Sequence, residues 1–171
     1  MSRNIFILSA FTLLLVACGA PPAGNKIESV RPMASADMLA QIRAVGKIGN
    51  ELDVQPLRDP QVEDLRALAT QAEQRGDFVA AEHSISLALK LLPSDPDLMQ
   101  WQAELALAQR RWNDAETLAQ RSFDAGPKLG SLCRRNWATL QFARQAHGDD
   151  IGSTQAQQHI AACTVAPPVR M

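Results

Sequence analysis

The sequence has no tyrosine, few other aromatic residues, no excess of positive charge and no long hydrophobic run. Its 17 basic and 18 acidic residues nearly cancel, and the isoelectric point is about 6.3. The chain therefore lacks the basic stripe by which a protein binds nucleic acid, and we expect no such partner. The longest largely apolar stretch, Ile5 to Val16, is also shorter than the roughly 20 residues that a membrane-spanning helix needs.

Motifs for catalysis are missing as well. The chain has no glycine-rich phosphate loop and no Gly-x-Ser-x-Gly motif, and its histidines do not have the spacing of a metal-binding pair. The acidic pairs Glu63-Asp64 and Asp149-Asp150 stand at predicted helix starts, where carboxylates complement the helix dipole. We therefore predict that the protein is not an enzyme and that it has no cofactor and no catalytic or metal-binding residues.

Alanine, leucine and glutamine are abundant, and hydrophobic residues make up 46% of the chain. Unbranched side chains lose little rotamer freedom in a helix, so this composition predicts an all-α protein. The length of 171 residues suffices for one domain and a targeting segment.

The N-terminus has the form of an export signal. Arg3 precedes the apolar stretch, which has the length of a signal-peptide core and ends in Leu15-Val16-Ala17-Cys18. These residues resemble the bacterial lipoprotein signal, in which small residues precede a cysteine that is lipidated and becomes the mature N-terminus. The resemblance implies that residues 1–17 are a signal peptide and that Cys18 carries the lipid. The alternative is an ordinary secretory signal with a chance cysteine.

The residues after Cys18 indicate a location. Lipoproteins of this family that stay in the inner membrane tend to carry aspartate after the lipidated cysteine, so Gly19 implies the periplasmic face of the outer membrane. Residues 18–34 contain Pro21, Pro22 and Pro32 and no hydrophobic period, which is typical of a flexible tether.

Two predicted helical hairpins follow one pattern. Each begins with an Asp-Pro pair, in which aspartate caps the helix and proline takes its first position. Further positions match at a spacing of 34 residues: Phe78 and Trp112, Ala81 and Ala115, and Pro93 and Pro127. Such a period predicts stacked helix pairs, an α-solenoid, and arrays of this kind bind other proteins far more often than they catalyse reactions.

The motif Gly76-Asp77-Phe78-x-x-Ala81, the pair Ala88-Leu89 and Pro93 resemble a tetratricopeptide repeat (TPR). The second copy departs from the family pattern in its turn, where Arg110 and Arg111 replace Gly-Asp. It also carries Ser122 where the family prefers alanine. The resemblance implies antiparallel helix hairpins in which the aromatic residue wedges between helices and the small alanine allows two backbones to approach closely.

A third, degenerate unit begins near Gly130, and its turn at Gly148-Asp149 comes four residues later than the period predicts. We therefore expect about three TPR-like units over residues 59–165, which agrees with the minimum that a stable array needs. Residues 166–171 are predicted to be a disordered tail.

A short amphipathic helix is predicted before the array. Ser35 can cap a helix from about Asp37 to Lys47, whose apolar face carries Met38, Leu39, Ile42 and Val45. One apolar stripe on a short helix cannot stand alone, so we expect this helix to pack on the first hairpin as an N-terminal cap. Residues 35–58 then comprise the capping helix and an extended connector.

Cys133 and Cys163 are expected near the start and the end of one antiparallel hairpin, where they would be neighbours. Because an exported protein enters an oxidising compartment, we predict a disulfide that closes a loop of 30 residues. Two alternatives remain: free thiols, or a metal site with His159, although three ligands without a fourth make a poor structural zinc site.

In this architecture the first helix of each pair lines a concave groove. By helical phase, the residues expected to face a partner are Glu63, Arg66, Thr70 and Glu73 in the first unit, Asp97, Gln100, Glu104 and Leu107 in the second, and Arg134, Ala138 and Gln141 in the third. Their mixed charge suits an extended peptide or a partner helix. A solvated face without a ligand is the alternative.

These features predict a lipid-anchored, non-enzymatic adaptor or assembly factor whose groove holds an envelope protein or a peptide segment of one. In this respect the chain resembles pilus pilotins, barrel-assembly subunits and regulators of cell-wall synthesis, which also place helical arrays on lipid anchors. Two alternatives belong to other classes. One is a structural accessory subunit that only oligomerises or buttresses a complex, and the other is an enzyme or metal protein that uses Cys133, Cys163 and His159.

Overall fold

The structure is a computed structural model that describes residues 33–49 and 59–164. In these ranges the chain forms helices and no strands, as the composition predicts. The helices are α1 (Ser35–Gly46), α2 (Pro60–Gln74), α3 (Phe78–Leu91), α4 (Pro96–Ala108), α5 (Trp112–Ala125), α6 (Ser131–Ala146) and α7 (Asp150–Ala162). The predicted signal peptide, most of the tether, the connector at 50–58 and the C-terminal tail lie outside the described residues.

The two Asp-Pro pairs begin helices as predicted. The Asp59 carboxylate accepts a hydrogen bond from the backbone N–H of Gln61, and Asp95 caps α4 in the same way by accepting from Asp97 and Leu98. Each cap satisfies N–H groups that the first turn of a helix leaves without a partner. Aspartate followed by proline therefore sets where the first helix of each of these two units starts.

The helices pack as three successive pairs, α2 with α3, α4 with α5 and α6 with α7, and neighbouring pairs also meet through α3 and α4 and through α5 and α6. Ala81 and Ala115, the small residues of the repeat pattern, are completely buried. The turn of the first pair uses Gly76 in the left-handed region at φ 74°. Arg110 takes the corresponding place in the second pair and adopts a similar backbone, at φ 60°, although it is not glycine.

Helix α1 forms where it is predicted, but it packs elsewhere. Its backbone comes close to α6 and α4 and not to α2 or α3. The helix therefore does not pack on the first hairpin as expected, but lies along the first helices of units two and three. Met38 and Ile42 belong to one buried cluster with small and aliphatic side chains of α4 and α6, which are Ala106, Leu107, Ala138 and Ala143. This surface accepts a helix closely because three of the four side chains are alanines.

The direction of α1 follows from the contacts at its two ends. Ser35 does not cap α1 with its side chain; its hydroxyl donates to the backbone oxygen of Ala108 at the end of α4, at 2.6 Å. At the other end, the backbone oxygens of Val45 and Gly46 accept hydrogen bonds from Arg134, near the start of α6. Helix α1 is therefore antiparallel to α4 and α6.

Candidate functional site

The residues expected to line a partner groove fall into two groups. The α4 and α6 members Gln100, Glu104 and Arg134 are at most 3% exposed, because α1 covers this part of the surface. Leu107 and Ala138 are buried in the same contact. The concave face of units two and three is thus already occupied by a segment of the same chain.

The members of the predicted groove on α2 remain accessible. Glu63 and Thr70 are exposed, whereas Arg66 and Glu73 are half-buried and face α4 and α1. Gln141, near the end of α6, is also half-buried. A partner that approaches the folded protein would therefore meet α2 and the exposed side of α1, and not the full three-helix groove that the repeat pattern predicts.

Six alternating charges connect α1 to the array, and we call them the ion-pair chain: Glu73, Arg43, Glu104, Arg135, Asp97 and Arg66. The ion-pair chain starts with Glu73 on α2 and continues with Arg43 on α1 and Glu104 on α4. It then passes to Arg135 on α6 and Asp97 on α4, and it ends with Arg66 on α2. Its successive contacts measure 2.7, 2.8, 2.7, 3.1 and 2.9 Å. These contacts connect α1 with α2, α4 and α6, the first helices of the three units.

The centre of the ion-pair chain is Glu104, whose side chain is completely buried. One carboxylate oxygen accepts from Arg43, and the other accepts from Arg135 and, at 3.1 Å, from the side-chain amide of Gln100. A buried carboxylate is tolerated only when it is paired and hydrogen-bonded, and this one has partners on three helices. Glu104 therefore joins α1, α4 and α6.

Arg43 and Arg135, the two arginines that contact Glu104, keep their charge. Burial alone would lower the pKa of the Arg43 guanidinium, but hydrogen bonding to Glu73 and the charges of Glu104 and Glu73 outweigh it, so its pKa is raised. Burial opposes the charge of Arg135 too, and the carboxylates of Glu104 and Asp97 again raise the pKa. Both side chains are permanent donors to the carboxylates between them.

Sequence reasoning missed Arg43, Arg135 and Trp101 as members of this site. Arg43 follows Ile42 on the amphipathic α1, and only the position of α1 brings its guanidinium to Glu73 and Glu104. The guanidinium carbon of Arg66 lies over the Trp101 ring, 5.0 Å from the ring centroid. The indole N–H of Trp101 donates to the carboxylate of Glu73. Arg135 could have been found by helical phase, because it follows Arg134 at the edge of the same face.

Between α1 and α2 the concave side remains open, and we call this channel the trough. It consists of two cavities of about 520 and 420 Å³ that share Arg43, Thr70 and Glu73. Around these shared residues, the larger cavity is lined mainly by uncharged residues, which are Ala36, Leu39, Ala40, Gln74, Gly76 and Phe78. The smaller cavity has a charged lining of Lys47, Arg66, Asp97, Trp101, Ser131 and Arg135. The trough therefore has one largely apolar end and one charged end, with the Arg43–Glu73 pair between them.

In the third unit Cys133 and Cys163 form a disulfide, with their Cα atoms 5.7 Å apart. The bond connects the start of α6 to the residue after α7, and the backbone N–H of Gly130 also donates to the oxygen of Cys163. His159 stacks on Trp137, with ring centroids 4.1 Å apart. Among the residues that the structure describes, no three His, Cys, Asp or Glu side chains are grouped so that they could hold a metal ion.

None of the seven described helices is long and apolar enough to cross a membrane. Cys18, the predicted lipid attachment site, lies outside the described residues.

The fold and the trough define a small α-solenoid of three helix pairs whose concave face is partly filled by an N-terminal helix. No protein-family model matches the chain, and no curated protein matches it. Among solved structures it is similar to the globular C-terminal domain of LpoP from P. aeruginosa, with a TM-score of 0.58 and 27% sequence identity. The match covers 61% of this chain and 99% of the LpoP domain, so a complete globular domain of LpoP corresponds to part of this protein.

Proposed function

We propose that the protein is a non-enzymatic adaptor that binds a segment of another envelope protein in the trough. In this proposal the lipid at Cys18 anchors the chain to the outer membrane, and the helical array faces the periplasm. The observation that carries the proposal is the trough itself, an open channel with one apolar and one charged end along a helical repeat array. Solenoids use such extended concave surfaces to bind peptide segments of other proteins.

The comparison supports the location and the class. LpoP is an outer-membrane lipoprotein with a TPR-like helical domain, and this chain spans the whole of that domain. The lipoprotein-like N-terminus of the present sequence agrees with the same placement. The role in envelope assembly is our inference for this chain.

The shape of the trough indicates the kind of segment that it holds. Ala40 and Phe78 at one end can contact an aliphatic or aromatic side chain, whereas Lys47 and Arg66 at the other end favour a polar or acidic one. Both cavities are lined by Arg43, Thr70 and Glu73, so a single peptide that passes over the Arg43–Glu73 pair would contact both. We therefore expect a linear segment that carries an apolar residue and, a few residues away, an acidic residue.

Replacement of Thr70 with tryptophan tests this proposal. Thr70 is exposed where the two cavities meet, and its hydroxyl donates only to the oxygen of Arg66 one turn earlier, so the larger side chain fills the trough without disturbing the core. We expect recovery of the partner from crosslinked, detergent-solubilised envelopes to fall by about tenfold or more, which corresponds to a loss of 1.4 kcal/mol or more. The measurement is quantitative mass spectrometry of proteins captured with the lipidated chain.

Thr117→Trp is the matched control. Thr117 is also exposed, and its hydroxyl makes the same bond to the oxygen of Asn113 one turn earlier, but it lies on α5, which does not line the trough. Recovery with this variant should equal that of the wild type. Equal recovery with both variants would mean that the trough is not the binding surface, and it would favour the structural accessory subunit.

A further inference from the structure

Helix α1 packs on the array through one face only, as a helical peptide packs on its receptor. It buries one stripe, in which Met38 and Leu39 are at most 5% exposed and Ile42 is completely buried, while Ala40 and Ala44 face solvent. Residues 47–58 connect it to α2, so α1 can leave the surface of α4 and α6 without any break in the helix pairs. Met38, Leu39 and Ile42 are the apolar side chains that α1 buries, and a segment of this kind can open locally at a free energy below that of global unfolding.

The receptor surface recognises three chemical features of α1. The first is a positive charge: Arg43 is the only basic residue of α1, and it contacts the carboxylates of Glu73 and Glu104 at 2.7 and 2.8 Å. The second is the aliphatic stripe, of which Met38 and Ile42 share a buried cluster with Leu107 and the neighbouring alanines. Both features specify which side chains a helix must carry to bind here.

The third feature is the end of the helix. Arg134 donates to the backbone oxygens of Val45 and Gly46 in the last turn of α1. The Val45 oxygen also accepts from the backbone N–H of Ile48. Gly46 lies so close to α6 that a Cβ atom there would stand 2.8 Å from Cγ of Arg135. A helix that binds in this place therefore has to end at this point with a small residue.

We propose that the face of α4 and α6 under α1 is a helix-binding site with α1 as its intramolecular occupant, and that a helix of the same pattern in another protein replaces α1. This pattern is one arginine or lysine, aliphatic residues one, four and five positions before it, and a small residue three positions after it. Because α1 lines the trough, this exchange and the binding of a segment in the trough are alternative states of the protein. The partner class rests on the proposed adaptor function, whereas the exchange of helices is a property of the isolated protein. Glu73 and Glu104 supply the charge complementarity that selects such a helix.

Exchange is a competition between a tethered helix and a free one. A short connector gives α1 an effective concentration on the order of millimolar, so a free helix of equal affinity replaces it only at similar concentrations. A weakened α1 competes less well, which lowers the concentration of free helix that is required. This relation allows the site to be tested before a partner is identified.

The test uses the ¹⁵N-labelled mature chain with Cys18→Ser, which needs no detergent, and an unlabelled synthetic peptide of residues 33–49. We expect the peptide to remove hydrogen-exchange protection from amides of α1 while those of α3 and α5 keep theirs. In Ile42→Ala the half-effective peptide concentration should fall at least about tenfold, because this variant weakens only the intramolecular occupant. Ile48→Ala is the matched control, since Ile48 is 60% exposed just beyond α1, and it should behave as the wild type.

A peptide with Arg43→Glu should need at least about a tenfold higher concentration than the wild-type peptide to remove the protection of α1 amides, because it places a third carboxylate beside Glu73 and Glu104. The proposal is overturned if α1 amides stay as protected as those of α4 at every peptide concentration in both variants, or if the two peptides act equally. It is also overturned, in favour of a second copy of this chain, if light scattering shows a dimer that the peptide dissociates. Failure here leaves capture of a partner through the trough unaffected, so the two proposals can fail separately.

Discussion

Glu104→Gln is expected to lower the free energy of unfolding by about 3 kcal/mol. The change keeps the shape of the side chain but removes its charge and turns an N–H₂ group toward one of the two guanidiniums of Arg43 and Arg135. Both arginines are then left with one carboxylate each, beside a position whose side chain is completely buried. Removal of one partner from a buried ion pair costs about 3–5 kcal/mol, and Glu73 and Asp97 place this case near the lower limit. Urea denaturation followed by circular dichroism measures the effect.

Glu116→Gln makes the same chemical change in a different environment. Glu116 has a single arginine partner, Arg144, at 2.8 Å, and its side chain is 34% exposed. The cost there should be below about 1 kcal/mol, because water competes for both charges. If the two substitutions cost the same, the ion-pair chain does not hold α1 to the array.

Loss of the disulfide is expected to lower the free energy of unfolding by about 3–4 kcal/mol, according to the chain-entropy model for a closed loop of 30 residues. For a domain of this size the thermal midpoint should fall by roughly 10 °C. The effect is large because α7, which the bond helps to hold, buries little: Ala156 and Gly152 are its buried residues. Thermal unfolding of the wild type with and without a reducing agent measures it.

The double variant Cys133→Ser/Cys163→Ser provides the control for this prediction. It should unfold at the midpoint of the reduced wild type, and the reducing agent should not move its midpoint further. Thiol counting on the unfolded mature wild type separates the disulfide from its alternatives. We expect two thiols, those of Cys133 and Cys163, to appear only after reduction. A metal site would instead release its thiols on unfolding in the presence of a chelator. Two reactive thiols without reduction would contradict the disulfide.

Local signals in the sequence account for most of the fold. Asp59 and Asp95 cap helices because their carboxylates reach backbone N–H groups two or three residues away, and such contacts depend on sequence neighbours only. The spacing of 34 residues between Ala81 and Ala115 likewise predicts that helix pairs stack, since each pair needs a small residue at its closest approach. These interactions are short-range or periodic, and both kinds can be recognised in a single sequence.

The candidate site was only half predictable. Helical phase correctly assigns Glu73 and Glu104 to one side of the array, because the phase of a side chain is a property of its own helix. It cannot reveal that Arg43, on another helix far away in the sequence, neutralises both of them. Nor can it reveal that residues such as Gln100, expected to be free for a partner, are completely buried.

By itself, the sequence determined the helices, the starts of α2 and α4, the pairing of the helices and the all-α architecture. Only the tertiary structure decided where α1 lies, and with it which part of the concave face stays open. The physical reason is that burial of an apolar stripe such as Met38, Leu39 and Ile42 is favourable against any complementary apolar surface. The stripe alone therefore does not specify which surface it covers. Helix α1 packs on the alanine-rich face of α4 and α6 and not on the first hairpin. This face allows close packing, and it also supplies a buried carboxylate for Arg43 and a donor for the last carbonyl groups of the helix.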